Sequence, residues 1–172
     1  MNMSGQETIV HIEWDGPHAF DAIKELGGPT DYGVYQIYGG HPVYGTSALL
    51  YIGRADSQHF GKRIPQERGW LLHRDAGRIE VYVGRLSGSL TPGNDTWSRY
   101  ITLAERLLIY AHSPPYNAQK NLAALDSDLR FVHVLYWGRH RDLLPEVSGA
   151  RWTSRFAEIP EYHAFGESEP EL

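Results

Sequence analysis

The sequence predicts an α+β fold: a small central antiparallel β-sheet flanked by helices. Three observations carry that expectation. Over 78–86, Ile79, Val81 and Val83 alternate with Glu80 and Tyr82, the period-two pattern of a strand. Over 96–112, Ile101, Ala104, Leu108 and Ala111 recur at three- and four-residue steps, the stripe of an amphipathic helix. Two aromatic and β-branched runs, 33–38 and 48–53, flank a Gly- and Pro-containing stretch, as the arms of a hairpin do.

The remaining elements follow in chain order. Thr8–Glu13 is a short apolar strand. Pro17–Leu26 reads as a helix, with Asp15 or Gly16 as its cap and proline in its first turn. Gly27-Gly28-Pro29 stops it. The hairpin arms at 33–38 and 48–53 are joined by a long connection, in which His41–Thr46 reads as an enlarged loop. Asp56 or Ser57 can cap a following helix that buries Phe60 and Ile64, and Pro65 interrupts or restarts it. Pro114-Pro115 ends the helix begun at Thr96. Phe131–Trp137 is a last strand, and Arg141–Val147 a short helix. The apolar-poor segment GESEPEL, 166–172, is expected to be a disordered acidic tail.

The 172 residues suit one domain, and a hydrophobic fraction of 41% suffices for a core. No cysteine is present, so disulfides and thiolate zinc sites are excluded, and a reducing compartment is the expectation. No run reaches the roughly 18 apolar residues of a membrane span, and the first residues lack the basic flank of a signal peptide. The cytoplasm is the default, with no membrane partner.

A formal net charge of −5 argues superficially against a nucleic-acid partner. Its distribution does not. Residues 1–50 carry −5, residues 51–141 carry +5, and residues 142–172 carry −5. Thirteen of the sixteen basic residues are Arg, whose planar fork grips phosphate with two hydrogen bonds. Compositional bias explains the arginines equally well on charge alone. The nine histidines show no His-Glu-x-x-His or His-x-His spacing, and no phosphate-binding glycine loop or dinucleotide fingerprint occurs.

One set of short motifs goes further. Gly33-Val34-Tyr35 opens one strand and Tyr51-Ile52-Gly53 ends the next. Arg54-Ala55 and Gly61-Lys62-Arg63-Ile64 follow, then Ala104-Glu105-Arg106-Leu107-Leu108 on a helix, then Pro115-Tyr116-Asn117. In this order the elements resemble the GIY-YIG nuclease family, over roughly residues 31–121. The resemblance implies a nuclease core at 31–121. A strand/helix extension at 1–30 precedes it, and a second at 122–165 packs on it, ahead of the tail. Two departures stand out. Fifteen residues separate Tyr35 from Tyr51, several more than most members have, and Pro65 falls where members continue a helix. Some members carry Tyr or His one turn after the arginine; here that position is Glu67, with His73 six residues further.

The resemblance implies a divalent-metal-dependent endonuclease that hydrolyses nucleic-acid phosphodiesters, DNA ahead of RNA. Its catalytic residues would be Tyr35, Tyr51, Arg63 and Glu105, and its substrate-binding residues Arg54 and Asn117. The chemistry suits these residue types. Glu105 can hold Mg²⁺ or Mn²⁺ through oxygen, alongside waters and a substrate phosphate. Arg63 can hold a non-bridging oxygen and stabilise the charge developing there. Tyr35 and Tyr51, poor bases unaided, can orient or activate the nucleophile beside a metal-bound water or a cation. Asn117, at a helix exit, suits fastening a loop to the backbone or touching phosphate.

Each residue also has a plainer reading: a surface arginine, a solvated helix glutamate, one tyrosine among eleven. Two other functions therefore stay open. One is a catalytically inactive nucleic-acid-binding module of the same fold. The other is a toxin or interaction module controlled by a regulatory protein, with the acidic tail as a contact segment. No zinc-finger pattern or helix-turn-helix marks a separate reading domain. Specificity would then come from the hairpin loop, from 65–78, from 87–95 or from the region after 121. Oligomeric state is not legible.

Overall fold

In the computed structural model, the structure describes residues 7–67, 69, 78–87, 94–117 and 125–152. They form a mixed α+β architecture around one six-stranded sheet. The strands are β1 (Thr8–Ala19), β2 (Gly33–His41), β3 (Gly45–Ala55), β4 (Glu80–Leu86), β5 (Val132–Gly138) and β6 (Glu146–Ser148). Their order is β3-β2-β4-β1-β5-β6. All neighbours run antiparallel except β1 and β5, which run parallel from Thr8 opposite Val132 to Trp14 opposite Gly138. The sheet is thus larger than the sequence suggests, and not purely antiparallel. The N-terminal strand is no appendage, because it lies in the middle of the sheet.

Two helices matter for the site: α1 (Phe60–Arg63), which continues as a 3₁₀ turn over Ile64–Glu67, and the long α2 (Asp95–His112). They contribute to two separate cores. Val34, Tyr38 and Ile52 share one core with Ile101, Ala104 and Leu108 of α2. Tyr35, Ile37 and Val83 share the other with Phe60 and Ile64, and with Ile23 from a 3₁₀ turn over Phe20–Glu25. Successive strand residues point to opposite faces, so the 34/38 and 35/37 sets pack on opposite sides of β2. That explains why β4 is buried beyond its simple alternation: Val81, Tyr82 and Val83 are all covered. It also leaves Gln36 inside, where its side-chain oxygen accepts from the Tyr38 hydroxyl at 2.6 Å.

Several local expectations are corrected. The residues read as a helix over 17–26 instead continue β1 to Ala19, and only Phe20–Glu25 turn, as a 3₁₀ helix. Pairing with β4 holds that segment extended through a register shift between Asp15 and His18. The hairpin has no enlarged loop. β2 and β3 extend until His41 pairs with Gly45, with two register shifts absorbing the additional residues. The His41 ring closes the turn by accepting from the amides of Val43 and Tyr44 at 3.1 and 3.2 Å. His59, rather than Asp56 or Ser57, occupies the cap position of α1; its side chain makes no capping bond and pairs with the Leu26 carbonyl instead, at 3.2 Å.

Arg141–Val147 is no helix. Arg141 has φ +52° and the chain enters β6 at Glu146. There the Arg141 guanidinium lies 3.8 Å from the centre of the Tyr38 ring and bonds Glu80 at 2.7 Å, which fixes the turn to the sheet. By contrast, α2 runs nearly as its pattern indicates. Asn94 caps it by accepting from the Thr96 amide at 2.8 Å, and Ser113 ends it in a left-handed conformation just before the prolines. His73, the acidic tail 166–172 and most of the proposed specificity loops lie outside the described residues.

Candidate functional site

β3 is an edge strand. α2 packs on one face beside it and the α1 segment serves the other. Beyond its C-terminal end, both segments contribute to one cleft of about 560 Å³, with Arg54, Asp56, Arg63, Glu67 and Glu105 in its wall. The side chains reach it from two directions, in two arginine–carboxylate groups.

The first group comes from the α2 face. Arg54 and Ile52 lie on the same side of β3, two residues apart. Arg54 Nη1 donates to Glu105 Oε2 at 3.1 Å, and its Nε lies 3.3 Å from Asp56 Oδ2. The Glu105 side chain is only 2% exposed, because it lies on the buried stripe of α2 four residues after Ile101. Asn117 supports this group from behind. Its side-chain oxygen accepts from the Ile52 amide at 2.9 Å, and its side-chain nitrogen donates to the Ile52 carbonyl at 2.8 Å. Asn117 therefore braces the edge strand and is absent from the cleft wall.

The second group comes from the opposite face. Arg63 Nη1 lies 2.7 Å from Glu67 Oε1, and the Tyr35 hydroxyl donates to that same oxygen at 2.9 Å. Pro65 converts the helix to a 3₁₀ turn yet leaves Glu67 at the i+4 position from Arg63, where a salt bridge closes. Tyr35 is wholly buried and lies outside the cleft wall, while Glu67 is in it. The rings of Tyr35 and Tyr51 sit 6.2 Å apart.

Burial pushes the Tyr35 hydroxyl well above the usual phenol range, and the nearby Glu67 charge adds to the effect. Tyr51 is pushed up to about 12, first by burial and then by Glu67 and Glu105. Burial alone would make the Arg63 guanidinium easier to deprotonate, but Tyr35, Glu67 and Tyr51 outweigh it and hold the cation. Both tyrosines stay protonated at neutral pH, and the Tyr35 hydroxyl donates to Glu67.

Two glycines make this packing possible. A side-chain carbon on Gly53 would fall 2.4 Å from Tyr35 Cζ and 2.7 Å from the Tyr51 ring, so the gap between the tyrosines exists only with glycine there. Gly33 has φ +147°, and a side-chain carbon on it would meet the Gly84 carbonyl oxygen at 2.0 Å.

Of the six residues singled out from sequence, Arg54, Arg63 and Glu105 wall the cleft. Tyr35 stands behind Glu67, Tyr51 beside Tyr35, and Asn117 under β3. Glu67 and Asp56 are the additions. Sequence reasoning left Glu67 unassigned, although its i+4 spacing from Arg63 was the available signal.

The donor set suits a hard divalent ion. Glu105 and Asp56 offer carboxylate oxygens at the cleft wall, and Mg²⁺ commonly takes one or two carboxylates, several waters and a substrate phosphate. Among the described residues no three His, Asp or Glu side chains gather into an all-protein cage. Nor is any described helix long and apolar enough to cross a membrane. No family model matches the chain, and neither a curated protein nor a solved structure matches it significantly.

Proposed function

We propose that the chain is a GIY-YIG-type nuclease domain, a divalent-metal-dependent endonuclease acting on nucleic-acid phosphodiesters, with DNA favoured over RNA. The observation that supports this most is the cleft itself. Arg54, Arg63 and Glu105, widely separated in sequence, wall one polar depression, and Tyr35 and Tyr51 stand immediately behind it. A purely structural role does not require this combination at a solvent-open edge.

The roles follow from charge. Arg63 would bind a non-bridging phosphate oxygen and oppose the charge that gathers in the transition state. Arg54 would hold Glu105 in place and offer its remaining donors to the same phosphate or its neighbour. Glu105 would hold Mg²⁺ or Mn²⁺, which supplies Lewis-acid stabilisation and a readily ionised water when bound. Tyr51 and Tyr35 would orient the groups on the nucleophile side by donating hydrogen bonds. Asn117 would keep β3, and so Arg54, in register.

The test is incubation of the purified chain with duplex, branched and single-stranded DNA and with RNA, in Mg²⁺, in Mn²⁺ and in chelator. Cleavage with either metal, abolished by chelator, is the expected result. Binding in chelator should fall steeply with salt, as phosphate contacts release counterions. A chain that cuts none of these substrates is not a nuclease. Binding that stays flat with salt would remove phosphate contact as the driving force.

A second reading has one observation in its favour. Both cleft arginines already have carboxylate partners, as they would in a module that binds without cutting or that waits for a regulatory protein. Salt-sensitive binding without cleavage would select it.

A further inference from the structure

We propose that Glu67, rather than Tyr35, accepts the proton of the attacking water, and that Tyr35 is the positioning residue that holds the Glu67 carboxylate. This rests on the hydrolytic reading above and gives a defined role to Glu67, which stands where some members carry a Tyr or His as an added acid–base or phosphate-contacting group.

Three observations carry it. Glu67 walls the cleft, whereas Tyr35 is wholly buried behind it and cannot touch a water there. The Tyr35 hydroxyl is spent on Glu67, donating to Oε1 at 2.9 Å. Arg63, the candidate phosphate-holding residue, contacts that same oxygen at 2.7 Å, so the carboxylate sits next to where the phosphate would be held. A carboxylate fixed by two donors on one oxygen has little freedom to turn, and fixed direction is what a proton acceptor requires. The protonated state of Tyr35 fits this division of labour, since a phenol held well above its usual range donates and does not abstract.

The step balances as follows. The water oxygen forms a bond to phosphorus while one of its protons passes to the Glu67 carboxylate. The bond from phosphorus to the leaving oxygen breaks, and its electron pair stays on that oxygen. The leaving alkoxide takes a proton from solvent, and Glu67 returns its proton to solvent. Tyr35 keeps its own proton throughout.

The experiment compares wild type with Glu67→Gln, Glu67→Asp and Tyr35→Phe in single-turnover cleavage of a labelled DNA duplex with Mg²⁺. Affinity for the same duplex is measured in chelator. Glu67→Gln should slow cleavage by about 100-fold or more, the usual contribution of a positioned acid or base, while metal-free affinity changes less than about threefold. Its residual rate should climb with pH across the range where wild type is level, because hydroxide then replaces the missing acceptor. Glu67→Asp should recover part of the rate, and Tyr35→Phe should lose less than about tenfold.

A Glu67→Gln chain that cuts at near wild-type rate would overturn the assignment. So would a Tyr35→Phe loss as deep as that of Glu67→Gln, which would make the phenol the acceptor, or rate and affinity falling together in both Glu67 variants, which would make Glu67 structural. Wild type failing to cut at all would sink the hydrolytic reading first, and this role with it.

Discussion

The two arginine–carboxylate groups of the cleft are built on the same pairing, yet they differ in charge balance. On the α2 side one guanidinium, Arg54, lies between two carboxylates, Glu105 and Asp56. Formally that is one positive charge against two negative, a surplus of one negative charge. On the α1 side, among the described residues, one carboxylate, Glu67, receives one guanidinium and one neutral phenol, and their formal sum is zero. The difference teaches what each half suits. The surplus on the α2 side is the environment that favours a divalent cation over water. The balanced α1 side holds an arginine beside a fixed acceptor, which suits an anionic phosphate and the water attacking it.

The largest expected effect tests the negative half. Glu105→Gln keeps the shape and one oxygen but removes the charge proposed to hold the metal. Cleavage in Mg²⁺ should fall about 10³-fold, because an organised ion contributes several kcal/mol to the charged transition state. Metal-free DNA affinity should stay the same or improve, since a negative charge facing the phosphate is gone. Titrating Mg²⁺ against rate and DNA against fluorescence anisotropy reads both. A variant that cuts at near wild-type rate would place the metal elsewhere and dissolve the contrast between the halves.

The balanced half should respond differently. Arg63→Ala would remove the proposed phosphate contact in ground and transition states alike, so cleavage should drop about 100-fold and metal-free affinity about tenfold. It also takes the guanidinium from Glu67, which is only 7% exposed and keeps the Tyr35 hydroxyl, and unfolding in urea should show a loss of roughly 2 kcal/mol. Arg54→Ala is the natural partner variant. It takes a guanidinium from Glu105, whose side chain is 2% exposed, so its stability cost should be similar, roughly 2 kcal/mol, while its loss of metal-free affinity should be smaller because two carboxylates already oppose phosphate on that side. Equal losses of affinity in the two variants would mean that the halves are not functionally distinct.

How much of this was legible in the sequence depends on the range of the interaction. α2 was readable because its stripe and its proline stop are local, although its cap at Asn94 was not read. The central stretches of β2 and β3 were readable for the same reason, while Arg54, Arg63 and Glu105 were singled out by the motif resemblance. The turn at 17–26 was misread because pairing with β4, about sixty residues away, overrides a proline-initiated helical pattern. β6 was missed for the same reason, since three residues become a strand only by pairing with β5. The parallel pairing of β1 with β5 leaves no local trace at all. In the site, Glu67 was hidden by Pro65, which argues against a continuing helix but does not prevent a 3₁₀ turn with the same i+4 contact.

Asn117 separates framework from chemistry in the negative half. Its side chain occupies both the amide and the carbonyl of Ile52 in a buried setting, where an unpaired backbone group costs about 1–3 kcal/mol. Asn117→Ala should therefore lower stability by roughly 2–3 kcal/mol, read from urea unfolding. Cleavage should fall only moderately at temperatures where the variant stays folded, because Asn117 does not wall the cleft. A full loss of cleavage in a chain of wild-type stability would make Asn117 a substrate ligand instead.

The smallest effect concerns the far end of α2, the helix that carries Glu105. The His112 ring is bonded on both sides. Nδ1 lies 3.0 Å from the Leu108 carbonyl, and Nε2 lies 3.1 Å from the Leu144 amide, which donates to it. That pattern requires the neutral tautomer with its proton on Nδ1. Burial accordingly lowers its pKa below the usual histidine value, against a smaller opposing effect of the Leu108 carbonyl. The folded state thus binds a proton less readily than the unfolded chain. The stabilisation is fully present above the unfolded value, near pH 6.5, and is lost as pH falls from there towards the lowered folded value. Between pH 7.5 and 5.5, wild type should lose more stability than His112→Asn, whose side chain can still donate to Leu108 but does not titrate. If α2 loosens in that window, the Glu105 half should lose metal affinity together with stability, while metal-free binding through Arg63 stays level. Urea unfolding and Mg²⁺ titration at the two pH values read these outcomes. Identical pH dependence in variant and wild type would show that His112 does not set the acid sensitivity of α2, and that the negative half is no more pH-sensitive than its neighbour.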